Sequence, residues 1–257
     1  MLRRGRLRKQ WRYVAVFGPD VMLCAGTVRI GPACQEFWAV WDRLTQTLHE
    51  RTRTLIPGMR PAVVVAPGRV AIAAAPEVDL DVRLGARTAI ESVCPSGPRG
   101  FGWTRKRADI PVTGSLAIGG RPRPLRGRAV EDVSAGYHAR HVEWWWSAGI
   151  GRSADGRSVG WNLVQGINDP ERDSERAVWL DGRPQEPGRV RFDGLRAIAS
   201  ADGTALTFSA EAERARDDRV GPIRSAYRQP FGTFSGRLAG IELDHGIGVM
   251  EHHDVRW

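Results

Sequence analysis

The sequence predicts an all-β protein, an antiparallel meander curled into barrels, and three observations carry that prediction. Asp-Gly pairs recur at Asp155-Gly156, Asp181-Gly182 and Asp202-Gly203, each between short runs rich in strand-forming residues. Gly tolerates a positive φ and Asp bonds its own backbone, so such pairs close hairpins. No long helical period is present to supply a crossover between parallel strands. A meander that buries one face must also hide its edges, and curling shut does this. At 257 residues, with 42% hydrophobic residues, 30 Gly and 16 Pro, the chain has material for one large or two smaller turn-rich domains.

The elements follow in order. Residues 12–17 and 21–30 read as strands around the turn Gly18-Pro19-Asp20, and 36–42 follows the Gly31-Pro32 turn. Residues 45–54 are polar with weak helical periodicity, which predicts a short helix or loop. Residues 62–66 and 69–73 form a hairpin about Pro67-Gly68. Residues 78–84 alternate cleanly, so Asp79 and Asp81 face solvent. Residues 94–128 are punctuated by Pro and Gly and dense in Arg, which predicts a linker with strand pieces at 113–116 and 118–120. The domain division is therefore expected near residue 125, giving domains 1–125 and 126–257.

The most informative stretch is 132–170, which holds four of the ten tryptophans. Residues 141–146 and 159–164 form a hairpin around Ala154-Asp155-Gly156-Arg157. Side chains alternate across a strand, so Val142, Trp144 and Trp146 share one face and His141, Glu143 and Trp145 the other. Further strands are expected at 176–180, 189–192, 195–200 and 205–212, with a last one at 248–253.

The segments SAGYHARH, WWWSAGIG, VGWNLVQGINDP and SERAVWLDG, then IRSAYRQPFGTFSG and the closing GIGVMEHHDVRW, resemble a bacterial family known as domain of unknown function 2804. The resemblance covers most of the chain, most firmly 132–257. That family is more distantly similar to the lipocalin-type superfamily of carotenoid hydratases, tocopherol-cyclase-like proteins and cyclising pericyclases. The resemblance thus implies tandem lipocalin-like barrels and an apolar ligand, and it carries over no catalytic residue. Members of the family that the chain resembles usually carry additional sequence before the segment that opens here, so Met1 is either a late start or the edge of a trimmed domain, and either leaves the first strand's partner open.

Trp144, Trp146, Trp161, Trp179, Tyr227 and Phe231 are candidates to line a barrel cavity, with Asn162 orienting a polar substrate end. The same rings serve equally well as plain core. Arg224 and Arg228 share a strand face and suit an anionic head group or a structural ion pair to Asp169 or Glu175. For acid–base work, Tyr137 and His138 lie near the tryptophans, and Glu251, His252 and Asp254 return on the last strand. These readings give a binder of a hydrophobic or amphipathic small molecule; the distant resemblance implies a cofactor-free hydratase, cyclase or isomerase of lipid or isoprenoid substrates, and a non-enzymatic carrier has the same cavity.

The net charge of +9, from 38 basic and 29 acidic residues, leaves a basic module for nucleic acid or anionic membrane as the other class. No nucleic-acid motif accompanies that charge. No metal site is expected, because His138 and His141 fall on opposite strand faces and His252-His253 splits likewise. No cofactor motif is present. Cys24, Cys34 and Cys94 read as small buried hydrophobes, with a Cys24–Cys34 bridge across a hairpin left open. The basic start mimics a signal peptide, but Pro19-Asp20 breaks the apolar run, and no run reaches the ~20 residues that span a bilayer. The expected location is the cytoplasm.

Overall fold

The computed structural model describes residues 2–3, 5–221 and 223–257, and every regular element among them is a β-strand. A small ladder of β1 (Leu2–Arg3) and β2 (Arg6–Leu7) accompanies two large antiparallel sheets. The first sheet holds β3 (Lys9–Phe17), β4 (Val21–Ile30), β5 (Ala33–Asp42), β6 (Thr47–Leu55), β7 (Val63–Ala66), β8 (Arg69–Ala74), β9 (Val78–Leu84), β10 (Ile90–Pro95), β11 (Phe101–Ile118), β12 (Arg121–Arg123) and β13 (Arg128–Gly136). Its order is β6-β5-β4-β3-β13-β11-β9-β8-β7, with β10 and β12 also on β11. The second holds β14 (His141–Ser153), β15 (Ser158–Gln165), β16 (Ala177–Leu180), β17 (Arg183–Gln185), β18 (Val190–Asp193), β19 (Ala197–Ser200), β20 (Ala205–Val220), β21 (Ile223–Leu238) and β22 (Ile241–Arg256). Its order is β17-β16-β15-β14-β22-β21-β20-β19-β18. Each sheet curls as a half-barrel, and together they form the tandem lipocalin-like arrangement expected.

The three Asp-Gly pairs named above turn as predicted, with Gly156, Gly182 and Gly203 at φ of 86°, 77° and 93°. The β14–β15 hairpin keeps the expected turn, and β9 buries Val78, Leu80, Val82 and Leu84 while exposing the residues between. The partner of β3 lies within the chain: β13 pairs with it from Gly136↔Lys9 to Arg128↔Phe17. Cys24 stands opposite Ala39 and Cys34 opposite Arg29, and both thiols are free. No helix of the described residues is long and apolar enough to cross a membrane.

Two expectations are corrected. Residues 47–55 form β6, a strand at the sheet edge, in place of a short helix or loop. Their polarity reflects cross-strand pairing, as between Arg53 and Glu36, with no helical face involved. The segment 94–128 is no linker, because it contains the 18-residue β11. Its charges are matched inside the sheet, Arg105 and Arg107 on Glu131 and Lys106 on Asp132. A bulge between Arg107 and Ile110, with Asp109 at φ 59°, redirects β11 from β13 toward β9. The chain changes sheets between Gly136 and His141, so β13 belongs to the first sheet although it follows residue 125.

Alternation distributes the core over three layers. From β3, β4 and β5, Val14, Val16, Leu23 and Trp38 fill the first half-barrel, while Tyr13, Met22, Cys24 and Trp41 face the second sheet. From β14 and β15, Trp146, Ala148 and Val164 enter that middle layer, while Trp161 and Leu163 fill the second half-barrel. Central strands buried on both faces read as continuous apolar runs, as 13–17 and 21–25 do. Glycine sets how closely the layers meet. A Cβ on Gly160 of β15 stands 2.8 Å from Ala108 Cβ and 2.9 Å from Asp109 N on β11. Asp109 is fully buried there and accepts hydrogen bonds from Arg87, Arg128 and, across the seam, Ser158.

Gly149 leaves room for the Trp161 indole against β14, where an added Cβ sits 2.2 Å from Trp161 Cζ2. Gly149→Ala is expected to lower stability by about 1–3 kcal/mol through overpacking, read as a lower urea midpoint.

Candidate functional site

A cavity of about 150 Å³ lies in the middle layer, between the sheets, while Val, Leu and Ile, with Trp38 in the first and Trp161, Phe208 and Phe234 in the second, fill the half-barrel interiors. The expected cavity within one barrel is therefore displaced to the seam. Its aromatic wall comes from both sheets: Trp11, Tyr13 and Phe37 from the first, Trp144, Trp146 and Tyr227 from the second. Tyr13 meets Trp146 edge-on at 5.5 Å. Trp146 Nε1 donates to Asn162 Oδ1 at 2.7 Å, and Asn162 Nδ2 donates to the Glu175 carbonyl, which fixes the indole's orientation.

Glu251 of β22 faces this cavity. Trp144 Nε1 donates to one carboxyl oxygen at 2.8 Å and Gln229 Nε2 to the other at 2.7 Å. Gln229 is fully buried and accepts from the Tyr13 hydroxyl at 3.3 Å, so the line Tyr13–Gln229–Glu251 crosses from sheet to sheet. Burial pushes the Glu251 pKa up to about 7, and the two donors offset this only in part. The nearby cations are already committed. Lys106 Nζ lies 2.6 Å from Asp132 and 3.2 Å from Glu175, and these carboxylates hold its pKa up against burial. The Arg214 guanidinium lies between the Phe37 and Tyr227 rings, at 4.4 and 5.0 Å, and bonds Thr52 at 2.8 Å.

Two neutral histidines complete the lining. His253 is hydrogen-bonded to Ser225 at 2.8 Å and packs on Trp144 at 4.3 Å. Burial, with help from neighbouring His252, lowers its pKa to about 3. His138 meets Trp11 edge-on at 5.2 Å, and burial plus the charge of Lys9 lowers its pKa to about 4.

Of the sequence candidates, Glu251, His138, Trp144, Trp146 and Tyr227 converge on the cavity. Asn162 stands behind Trp146, and Phe231 packs in the middle layer. Trp179 packs there too, donating from Nε1 to the Thr88 carbonyl at 2.8 Å. Trp161 is on the far face of its sheet, donating to Ser147. His252 and Asp254 alternate outward, where His252 stacks on Trp145 and bonds Glu143, and Asp254 pairs with His141. Tyr137 packs beside Phe101, away from the cavity. Arg224 is exposed, and Arg228 is exposed and pairs with Glu213. Asp169 is instead held by Arg176, and Glu175 by Lys106. Lys106, Asp132, Tyr13 and Arg214 carry no motif in the sequence, and Glu175 and His253 stand out there only as an ion-pair partner and as half of a split His pair. One signal was available, since Lys9 and Lys106 are the only lysines and both are buried.

Residues 69–257 match the sequence profile of the family described as Domain of unknown function (DUF2804). The chain belongs to that family. No curated protein matches the sequence. Solved structures similar to this DUF2804 chain span nearly all of it. An AttH candidate from Nitrosomonas europaea is 15% identical with a TM-score of 0.58, covering 95% of this chain and 92% of that one. Kievitone hydratase from Nectria haematococca is 10% identical with a TM-score of 0.57, covering 97% and 88%. CghA with Sch210972 is 10% identical with a TM-score of 0.52, covering 98% and 88%. At these identities the likeness is one of fold.

The buried groups make opposing contributions to pH-dependent stability. His138 and His253 titrate near 4 and 3 against an ordinary 6.5, so the unfolded chain binds more protons and stability rises with pH up to about 6.5. Glu251, near 7 against an ordinary 4.5, contributes a fall in stability as pH rises from about 4.5 to about 7. Glu251→Gln removes only the fall. Its stability, from urea unfolding, is expected to rise more steeply than wild type between pH 4.5 and 6.5.

Proposed function

We propose that the chain binds an apolar or amphipathic small molecule in the seam and transfers a proton to it from Glu251, as a hydratase, cyclase or double-bond isomerase. The observation that carries this reading is the Glu251 carboxyl itself. It is buried in an aromatic-walled cavity, gripped by two N–H donors, and keeps its proton up to a pH of about 7. Such a group is poised to act as a general acid near neutrality. One of the structural neighbours is a hydratase by name, which agrees with this reaction class.

In the proposed step the proton leaves a Glu251 oxygen and the alkene π pair forms the new C–H bond. The adjacent carbon becomes cationic against the faces of Trp144 and Tyr227, where ring quadrupoles favour positive charge. The Trp144 and Gln229 donors stabilise the carboxylate left behind, as charge-assisted hydrogen bonds. Water adding to the cation gives an alcohol, an internal alkene closes a ring, and loss of a neighbouring proton moves the double bond. The cation left by ring closure is discharged by loss of a neighbouring proton or by water. In each case the proton released, from the added water or from the carbon next to the cation, returns to Glu251, so the cycle balances.

The test is incubation with a panel of terpenoid and unsaturated lipid alkenes in D₂O, read by mass spectrometry alongside tryptophan-fluorescence titration. Turnover is expected to incorporate deuterium, to decline as pH rises through about 7, and to drop at least about 100-fold in Glu251→Gln. Saturable binding without deuterium incorporation for every member of the panel would identify a carrier instead.

A further inference from the structure

Buried polar atoms that no protein group satisfies are costly, about 1–3 kcal/mol each, so their positions are informative. Among the described residues seven buried side-chain N or O atoms lack a hydrogen-bond partner, and three belong to one end of the seam cavity. These are both ring nitrogens of His138 and Oδ1 of Asn168, in side chains of residues only 2% and 7% exposed. We infer that this end of the cavity is built for a neutral hydroxyl group, so that the ligand is an alcohol or phenol rather than a hydrocarbon or a carboxylate. The inference rests on the seam cavity being the ligand site and adds to it the identity of the ligand's polar end.

A pair of glycines makes the space. Gly102 of β11 and Gly136 of β13 stand opposite each other in the sheet. A Cβ on Gly102 meets Asn168 Oδ1 at 2.8 Å and His138 Cε1 at 3.0 Å, and one on Gly136 meets His138 Nε2 at 3.0 Å. Both polar side chains therefore reach the same small region, over strand positions where any larger residue intrudes. Trp11 walls it from the side.

The donor and acceptor roles follow from the surroundings. Asn168 Nδ2 donates to Glu175 Oε2 at 2.8 Å, which leaves Oδ1 as the atom offered to the cavity, an acceptor only. Burial keeps His138 neutral, and a neutral imidazole carries one N–H donor and one bare nitrogen. A hydroxyl meets two of these three atoms, giving its proton to Asn168 Oδ1 and receiving one from the His138 N–H, and leaves only the bare ring nitrogen. A carbonyl leaves Oδ1 unmet. A carboxylate faces Oδ1 and the nearby Glu175 and Asp132, with Lys106 already shared between those two. Lys9 Nζ lies 4.1 Å over the Trp257 ring, and burial, with the charge of Arg6, lowers its pKa to about 7, so at pH 7.5 it offers a carboxylate little charge.

The experiment compares three probes on one skeleton: geraniol, geranic acid and 2,6-dimethyl-2,6-octadiene, titrated at pH 7.5 by tryptophan fluorescence. Geraniol is expected to bind about tenfold more tightly than either of the others, the difference that one or two buried hydrogen bonds supply. That ratio is expected to collapse toward one in His138→Phe, which removes the ring nitrogens, and in Gly102→Ala, which fills the cradle. Equal or tighter binding of the hydrocarbon or the acid by the wild type overturns the hydroxyl assignment and leaves the seam as a ligand site. Failure of all three to bind overturns both.

Discussion

The Lys106 ammonium, sealed between Asp132 and Glu175, constrains how the two sheets can meet. Asp132 comes from β13 of the first sheet and Glu175 from the segment entering β16 of the second. An ammonium removed from water costs several kcal/mol unless it is paired, so separating the sheets at this point leaves a charge stranded. Other polar links follow the same seam: Tyr13 to Gln229, Trp41 and Arg43 to Glu211, Arg214 to Thr52, and Ser158 to Asp109. The middle layer is thus more polar than either half-barrel interior, and the cavity lies where those polar links surround it.

That arrangement also explains the unusual acidity inside it. Glu251 has no cation to itself, because Lys106 already serves two carboxylates and Arg214 is held by aromatic faces and Thr52. Its carboxyl receives only neutral N–H donors, which moderate the desolvation penalty without abolishing it. The histidines follow the same logic with the opposite sign, since burial keeps them uncharged and, at His253, outweighs the nearby Asp254.

Much of the architecture was legible because turn chemistry and alternation are local signals. Asp-Gly pairs marked the hairpins, and 78–84 announced its two faces. Residues 47–55 and 101–118 were obscured because their charges look like solvent exposure until the partner strand is known. Glu36, Glu131 and Asp132 are remote in sequence from the residues they neutralise. The site was half legible for a related reason. Alternation along the last strand places Glu251 and His253 on one side and His252 and Asp254 on the other, but which side faces the seam depends on the second sheet's packing. Trp144 and Trp161 look alike as sequence and lie on opposite faces of one sheet. The scarcity of lysine pointed to Lys106 only in retrospect, as a place where a compact ammonium fits between two carboxylates.

The seam location has a mechanical consequence. A ligand enclosed within one barrel reinforces that barrel alone, whereas a molecule in this cavity touches Tyr13 and Phe37 on one side and Trp144 and Tyr227 on the other. Its binding free energy is therefore also a coupling free energy between the two halves of the chain. A molecule bound there would add to the packing that already joins the halves, and the added tether would be strongest for molecules long enough to press on both walls.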